Sequence, residues 1–138
     1  MHKILVVDDM TSIILAIGHI LMDDYDVLVA TSGQEALLSA EQELPDLILL
    51  DIQMPEMDGY AVIQALRRRP ATAAIPVIMI SADATEATKN DVLRAGALAF
   101  ITKPCDRDEL LARVAAALKG TPQPMRFEAS ADMPGPDG

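Results

Sequence analysis

Two adjacent carboxylates, Asp8 and Asp9, follow the apolar run 4–7, and a third, Asp51, follows the apolar run 47–50. Ser81 closes the run 77–80, and Lys103 comes just after the run 98–101. If these runs are strands of one sheet, all five side chains arrive at the same edge. Three carboxylates gathered there repel one another by several kcal/mol unless a cation or protons compensate. An all-oxygen ligand set selects a hard cation. Mg²⁺ suits it, because it accepts a few carboxylate or carbonyl oxygens and keeps waters that a phosphoryl oxygen can replace. Taken singly, an Asp after a strand is more often a cap for the next helix, a Ser likewise, and a Lys a solvated charge. Taken together they describe a phosphoryl-transfer site: a carboxylate nucleophile, a metal, an ammonium and a hydroxyl donor around the oxygens of one phosphoryl group.

The elements that must position these groups are legible from periodicity. The runs 4–7, 27–30, 47–50, 77–80 and 98–101 are continuous rather than alternating, as expected of strands covered on both faces. Between them the spacing turns helical: Ile13, Ile14, Ile17, Ile20 and Leu21, then Ala36, Leu37 and Ala40, then Val62, Ile63 and Leu66, and last Leu110, Leu111, Val114 and Leu118. The segment 85–94 has only Val92 and Leu93 as apolar anchors, and is read as a helix because the alternation requires one. Thr11 or Ser12, Ser32, Asp58 and Asp106 are the expected N-caps, and Pro76 is expected to open the fourth strand. Strands alternating with helices imply an open α/β sheet with helices on both faces, and chemistry at the carboxyl ends of its strands.

Composition sets outer bounds. The chain has 138 residues, 51% of them hydrophobic, enough for one buried core without disulfides. A formal charge of −10 argues against direct binding to DNA or RNA. Cys105 is the only cysteine, so no internal disulfide can form. No apolar run is long enough to span a bilayer, and the start does not resemble a secretory signal, so a soluble cytoplasmic protein is expected. The proline-rich, acidic stretch 120–138 reads as a disordered tail or linker after a domain covering 1–119.

From Lys3 to about Leu118 the chain resembles the receiver domain of two-component response regulators. The resemblance rests on Ile4-Leu5-Val6-Val7-Asp8-Asp9, on Leu49-Leu50-Asp51-Ile52-Gln53-Met54-Pro55-Glu56-Met57-Asp58-Gly59, on Ser81-Ala82, and on Gly96-Ala97 leading to Phe100-Ile101-Thr102-Lys103-Pro104. It implies a flavodoxin-like, doubly wound five-stranded parallel sheet of order 2-1-3-4-5 flanked by five helices. It also implies that Asp51 is the phosphoacceptor, and that Asp8, Asp9, Asp51 and the backbone carbonyl of Gln53 hold Mg²⁺. Ser81 and Lys103 would contact the phosphoryl group, Lys103-Pro104 would be cis, and Ser81 with Phe100 would form the switch. The implied donor is a sensor histidine kinase or a histidine phosphotransfer protein. The downstream partner would be a protein or an output domain.

Some residues depart from the common pattern or invite other readings. Cys105 stands where the family most often has Phe, and reads as a small buried hydrophobe. Gln53 and Asp83 are expected to border the water that hydrolyses the acyl phosphate. Arg67-Arg68-Arg69 reads as the solvated end of the third helix, the methionines as core filler, Gly59 as permissive backbone, and His2 and His19 as outside any site. An aspartate-nucleophile phosphatase would need an acid two residues after Asp51, where Gln53 stands. Two further alternatives are an interaction module that does not use phosphorylation, and the N-terminal receiver fragment of a longer regulator.

Overall fold

The computed structural model describes residues 1–119. The expected tail, 120–138, lies outside them. Five strands alternate with five helices: β1 (Lys3–Val7), α1 (Thr11–Leu21), β2 (Asp26–Ala30), α2 (Gly33–Glu43), β3 (Leu47–Asp51), α3 (Gly59–Arg68), β4 (Val77–Ser81), α4 (Glu86–Arg94), β5 (Ala99–Thr102) and α5 (Arg107–Leu118). The strands form one parallel sheet in the order β2-β1-β3-β4-β5. This is the expected order.

Successive side chains of a strand point to opposite faces, and both faces are covered. Leu5, Val7, Ile48, Leu50 and Met79 pack with α2, α3 and α4 on one side. Ile4, Val6, Leu47, Leu49, Ile78 and Ile101 pack with α1 and α5 on the other. Every residue of β3 and β4 is buried, which is why their sequences carry no alternation. β2, at the edge, is less covered.

Ser32, Asp58, Thr85 and Asp106 cap α2, α3, α4 and α5 through side-chain oxygens. The first helix differs from expectation. Its N-cap is Met10, with no side-chain cap, and Thr11 is already helical. The cause is Asp8, whose Oδ1 accepts the Met10 N–H at 2.9 Å and turns the chain into α1 early. Pro76 lies one residue before β4, its carbonyl accepting the Ile48 N–H at 3.0 Å.

Two other expectations change. Arg67 lies in the last turn of α3 as expected but is less solvated: it donates to the Ile75 carbonyl at 2.8 Å and to that of Gly96 at 3.3 Å, and burial lowers its pKa. Methionines are core filler at Met54 and Met79 but not at Met1, Met10 or Met22, which are exposed. Among the described residues no helix is long and apolar enough to cross a membrane.

Candidate functional site

The site lies where the ladder of the sheet runs past its strand ends. The Asp8 N–H donates to the Ala30 carbonyl at 3.2 Å, Ile52 N–H to that of Ile80 at 3.1 Å, and Lys103 N–H to that of Ser81 at 2.9 Å. These bonds hold Asp8, Asp51 and Lys103 at neighbouring positions on one edge, as the sequence implied. The carboxylates of Asp8, Asp9 and Asp51 each offer an oxygen within 4.8 Å of the others. Asp8 and Asp51 are buried, and Asp9 is exposed.

Lys103 reaches across them. Its Nζ lies 2.9 Å from Asp8 Oδ2 and 3.1 Å from Asp51 Oδ1, and its side chain is 16% exposed. Burial raises the Asp51 pKa above the ordinary carboxylate value; the Lys103 hydrogen bond opposes this, and the Asp8 charge adds to it. For Lys103 burial acts downward, but hydrogen bonds to Asp8 and Asp51 outweigh it and raise its pKa. Both directions follow from one ammonium serving two buried carboxylates. The lysine gains two acceptors, while each acid has a share of one cation.

Among the described residues, three carboxylates and one ammonium carry a formal net charge of −2 at this edge. That donor set, all oxygen and under-compensated, fits a hard divalent cation.

Ser81 is buried at the end of β4, and its Oγ accepts the Asp83 N–H at 3.0 Å. Asp83, two residues after Ser81, is held at the start of α4. Its carboxylate accepts from the Thr85 N–H at 3.1 Å and the Thr88 hydroxyl at 2.8 Å, bonds that lower its pKa and tie it to the start of α4. Phe100 is half-buried against the α2–α4 side of the core and borders a surface hollow of about 300 Å³ with Lys89, Leu93 and Leu98. The Lys103-Pro104 peptide is cis, as expected. Cys105 is half-buried, and burial raises its thiol pKa.

Gly59 matters for closeness rather than for unusual torsion. A Cβ there would fall 2.7 Å from the Asp51 carbonyl oxygen and 2.9 Å from Ile52 Cα, and its N–H donates to the Ile52 carbonyl at 2.8 Å. Sequence reasoning missed a second glycine, Gly33, which meets Met57 of the loop that follows Asp51. Ser-Gly at a helix start reads simply as a cap, and nothing in local spacing signals so distant a contact.

The chain matches the family described as the response regulator receiver domain over residues 4–115. It belongs to that family. Two longer regulators are similar to it in sequence: the DNA-binding dual master transcriptional regulator RpaA of Synechocystis, 41% identical over 122 residues, and the response regulator PleD of Caulobacter vibrioides, 42% identical over 113 residues. These alignments cover 88% and 81% of this receiver chain, but only 51% of RpaA and 25% of PleD. The chain thus spans half of one relative and a quarter of the other. Among solved structures, the receiver domain of the sensor histidine kinase PA1611 from Pseudomonas aeruginosa is 28% identical, with a TM-score of 0.80, over 86% of this chain and 98% of that one. That domain was solved with a magnesium ion coordinated in its active-site cleft.

Proposed function

We propose that this receiver takes a phosphoryl group onto Asp51 from the phosphohistidine of a sensor histidine kinase or histidine phosphotransfer protein, in the cytoplasm and with Mg²⁺. The observation that carries the reading is the shared ammonium: Lys103 lies within hydrogen-bond reach of both buried acids while the exposed Asp9 completes the cluster. Asp8, Asp9, Asp51 and the Gln53 backbone carbonyl would hold the cation. When bound, it supplies positive charge against the phosphoryl oxygens and the three carboxylates.

The rest of the chemistry belongs to the chain. An Asp51 carboxylate oxygen attacks phosphorus in line, the bond from phosphorus to the donor imidazole nitrogen breaks, and its electron pair returns to that nitrogen. Lys103 offsets the charge spread over the transferring group, and the Ser81 hydroxyl donates to a phosphoryl oxygen. Drawing Ser81 inward loosens its bond with the N–H of Asp83, whose carboxylate holds Thr85 and Thr88 at the start of α4, and Phe100 packs into the space vacated. The face built from α4, β5 and α5 then differs between the two states, and a partner protein or an output domain reads it. The domain coverage of RpaA and PleD supports a second form of this reading, in which the receiver works inside a longer regulator.

Turnover of an external phosphoester is not expected, because Gln53 stands where an aspartate-nucleophile phosphatase needs an acid to protonate its leaving group. The test is incubation with acetyl phosphate or phosphoramidate and Mg²⁺, followed by intact mass. One phosphoryl adduct is expected on the wild type, and none in EDTA or on Asp51→Asn. No adduct on wild type, an equal adduct on Asp51→Asn, or many turnovers per chain of a generic phosphomonoester with Mg²⁺ would overturn the proposal.

A further inference from the structure

The loop 52–58 leads from Asp51 into α3, and at its start the Gln53 N–H donates to the Asp51 carboxylate. It is pinned at its base by the Gly59 N–H on the Ile52 carbonyl, at its end by the Asp58 carboxylate on the Ala61 N–H at 2.9 Å, and below by the buried side chain of Met54. Pro55 and Glu56 are exposed, and Glu56 has a left-handed φ of 69°. From the side the loop is held by Met57, packed against Gly33 at the first residue of α2. A Cβ on Gly33 would lie 2.7 Å from Met57 Cγ and Sδ and 2.8 Å from Met57 Cβ. Rotating the Met57 side chain moves Cγ and Sδ but leaves Cβ where the backbone puts it. Backbone, in the loop or in the first turn of α2, would have to move.

The turn that carries Gly33 is equally well fixed. Ser32 Oγ accepts the Glu35 N–H at 3.1 Å, and Glu35 Oε1 accepts from the Thr31 N–H and, at 3.0 Å, from the Thr31 hydroxyl. One residue earlier the Ala30 carbonyl accepts the Asp8 N–H. Contacts therefore close a ring around the acids, from Asp8 through Ala30 and Gly33 to Met57, then back along the loop to Gln53 and Asp51.

We infer that Gly33 and Met57 are positioning residues for the cation: their contact sets the place of the Gln53 carbonyl, and with it the preference for Mg²⁺ over a larger ion. The inference rests on the proposed role of Gln53 as a ligand. Mg²⁺ requires near-octahedral oxygens at about 2.0–2.1 Å, whereas Ca²⁺ accepts irregular shells at about 2.3–2.6 Å. A displaced carbonyl therefore weakens Mg²⁺ more than Ca²⁺. General loss of stability would not change that ratio in folded protein.

The test is calorimetric titration of the full chain with Mg²⁺ and with Ca²⁺, well below the melting temperature measured in EDTA. Gly33→Ala is expected to weaken Mg²⁺ about tenfold and Ca²⁺ by less than about threefold, the scale on which outer-shell partners act. Met57→Ala, which removes the side hold without adding bulk, is expected to weaken Mg²⁺ about threefold; Gly33→Ala combined with Met57→Gly, which removes the Cβ as well, relieves the clash, so the double variant binds Mg²⁺ more tightly than Gly33→Ala alone. An unchanged Mg²⁺ to Ca²⁺ ratio in Gly33→Ala, or a double variant no better than Gly33→Ala, overturns the inference. If Gly33→Ala does not fold, an unchanged ratio in Met57→Ala overturns it. A wild-type chain that binds no Mg²⁺, or an Asp8→Asn variant that binds it equally well, defeats the underlying ligand assignment instead.

Discussion

Asp8 and Asp51 extend from β1 and β3, central strands that are laddered on both sides and buried throughout except at Lys3. Ser81 leads instead into α4, a nine-residue helix with Val92 as its buried residue, followed by the exposed Leu98 and the half-buried Phe100. The same sheet edge thus joins a densely packed half that holds the charges to a lightly packed half held by hydrogen bonds. Those bonds run through single side chains: Asp83 to Thr85 and Thr88 at one end of α4, Arg67 to the Gly96 carbonyl just past the other. Chemistry needs groups fixed before the reaction, while a response needs an element whose rearrangement costs little. The two halves meet at Ser81, which closes the fully buried β4 yet leads into α4, and whose carbonyl accepts the Lys103 N–H.

The largest effect on the fixed half is expected from Lys103→Met. Loss of the ammonium shared by Asp8 and Asp51 should slow formation of the phosphoryl adduct by about 10²–10³-fold, measured as initial rate with saturating phosphoramidate and Mg²⁺. A rate within a few-fold of wild type would mean that the lysine is merely a counter-ion.

A smaller effect concerns stability. Burial raises the Asp51 pKa, so ionising Asp51 in the folded chain works against the fold, and its contribution falls as pH rises through the folded-state pKa. In EDTA at neutral pH, Asp51→Asn is therefore expected to melt higher than wild type. The gap should close as pH drops below the ordinary aspartate range, where Asp51 is protonated in folded and unfolded chains alike. Melting curves of both proteins across that range measure it.

The smallest effect tests the lightly packed half. Thr85→Ala removes the N-cap of α4 and should cost about 1 kcal/mol. Hydrogen exchange should show faster amides in α4 and unchanged protection in β1 and β3. Equal loss everywhere would mean that α4 is no separate unit.

The same contrast governs what could be read in the sequence. The packed half was legible because burial on both faces leaves continuous apolar runs, and because Asp8, Asp51, Ser81 and Lys103 each follow or end one. The segment 85–94 was harder: of its two apolar anchors Val92 is buried but Leu93 is exposed, so its helix shows in the Thr85 cap more than in a stripe. Thr11 and Ser12 look like caps, but Asp8 bonds Met10 first. Arg67 and Gly33 were misjudged or missed for a common reason. Their partners, the carbonyls of Ile75 and Gly96 and the side chain of Met57, come close only once the chain is folded.

The central claim is that a phosphoryl group resides on Asp51. The most direct measurement is borohydride reduction of the chain after treatment with phosphoramidate and Mg²⁺, followed by peptide mapping, because an acyl phosphate is reduced to the alcohol while a free carboxylate is not. The account predicts homoserine at position 51 in the Mg²⁺-treated sample and aspartate there in the EDTA control. Homoserine at position 8 or 9 instead, or aspartate retained at 51 in a chain whose mass shows one phosphoryl adduct, would contradict it.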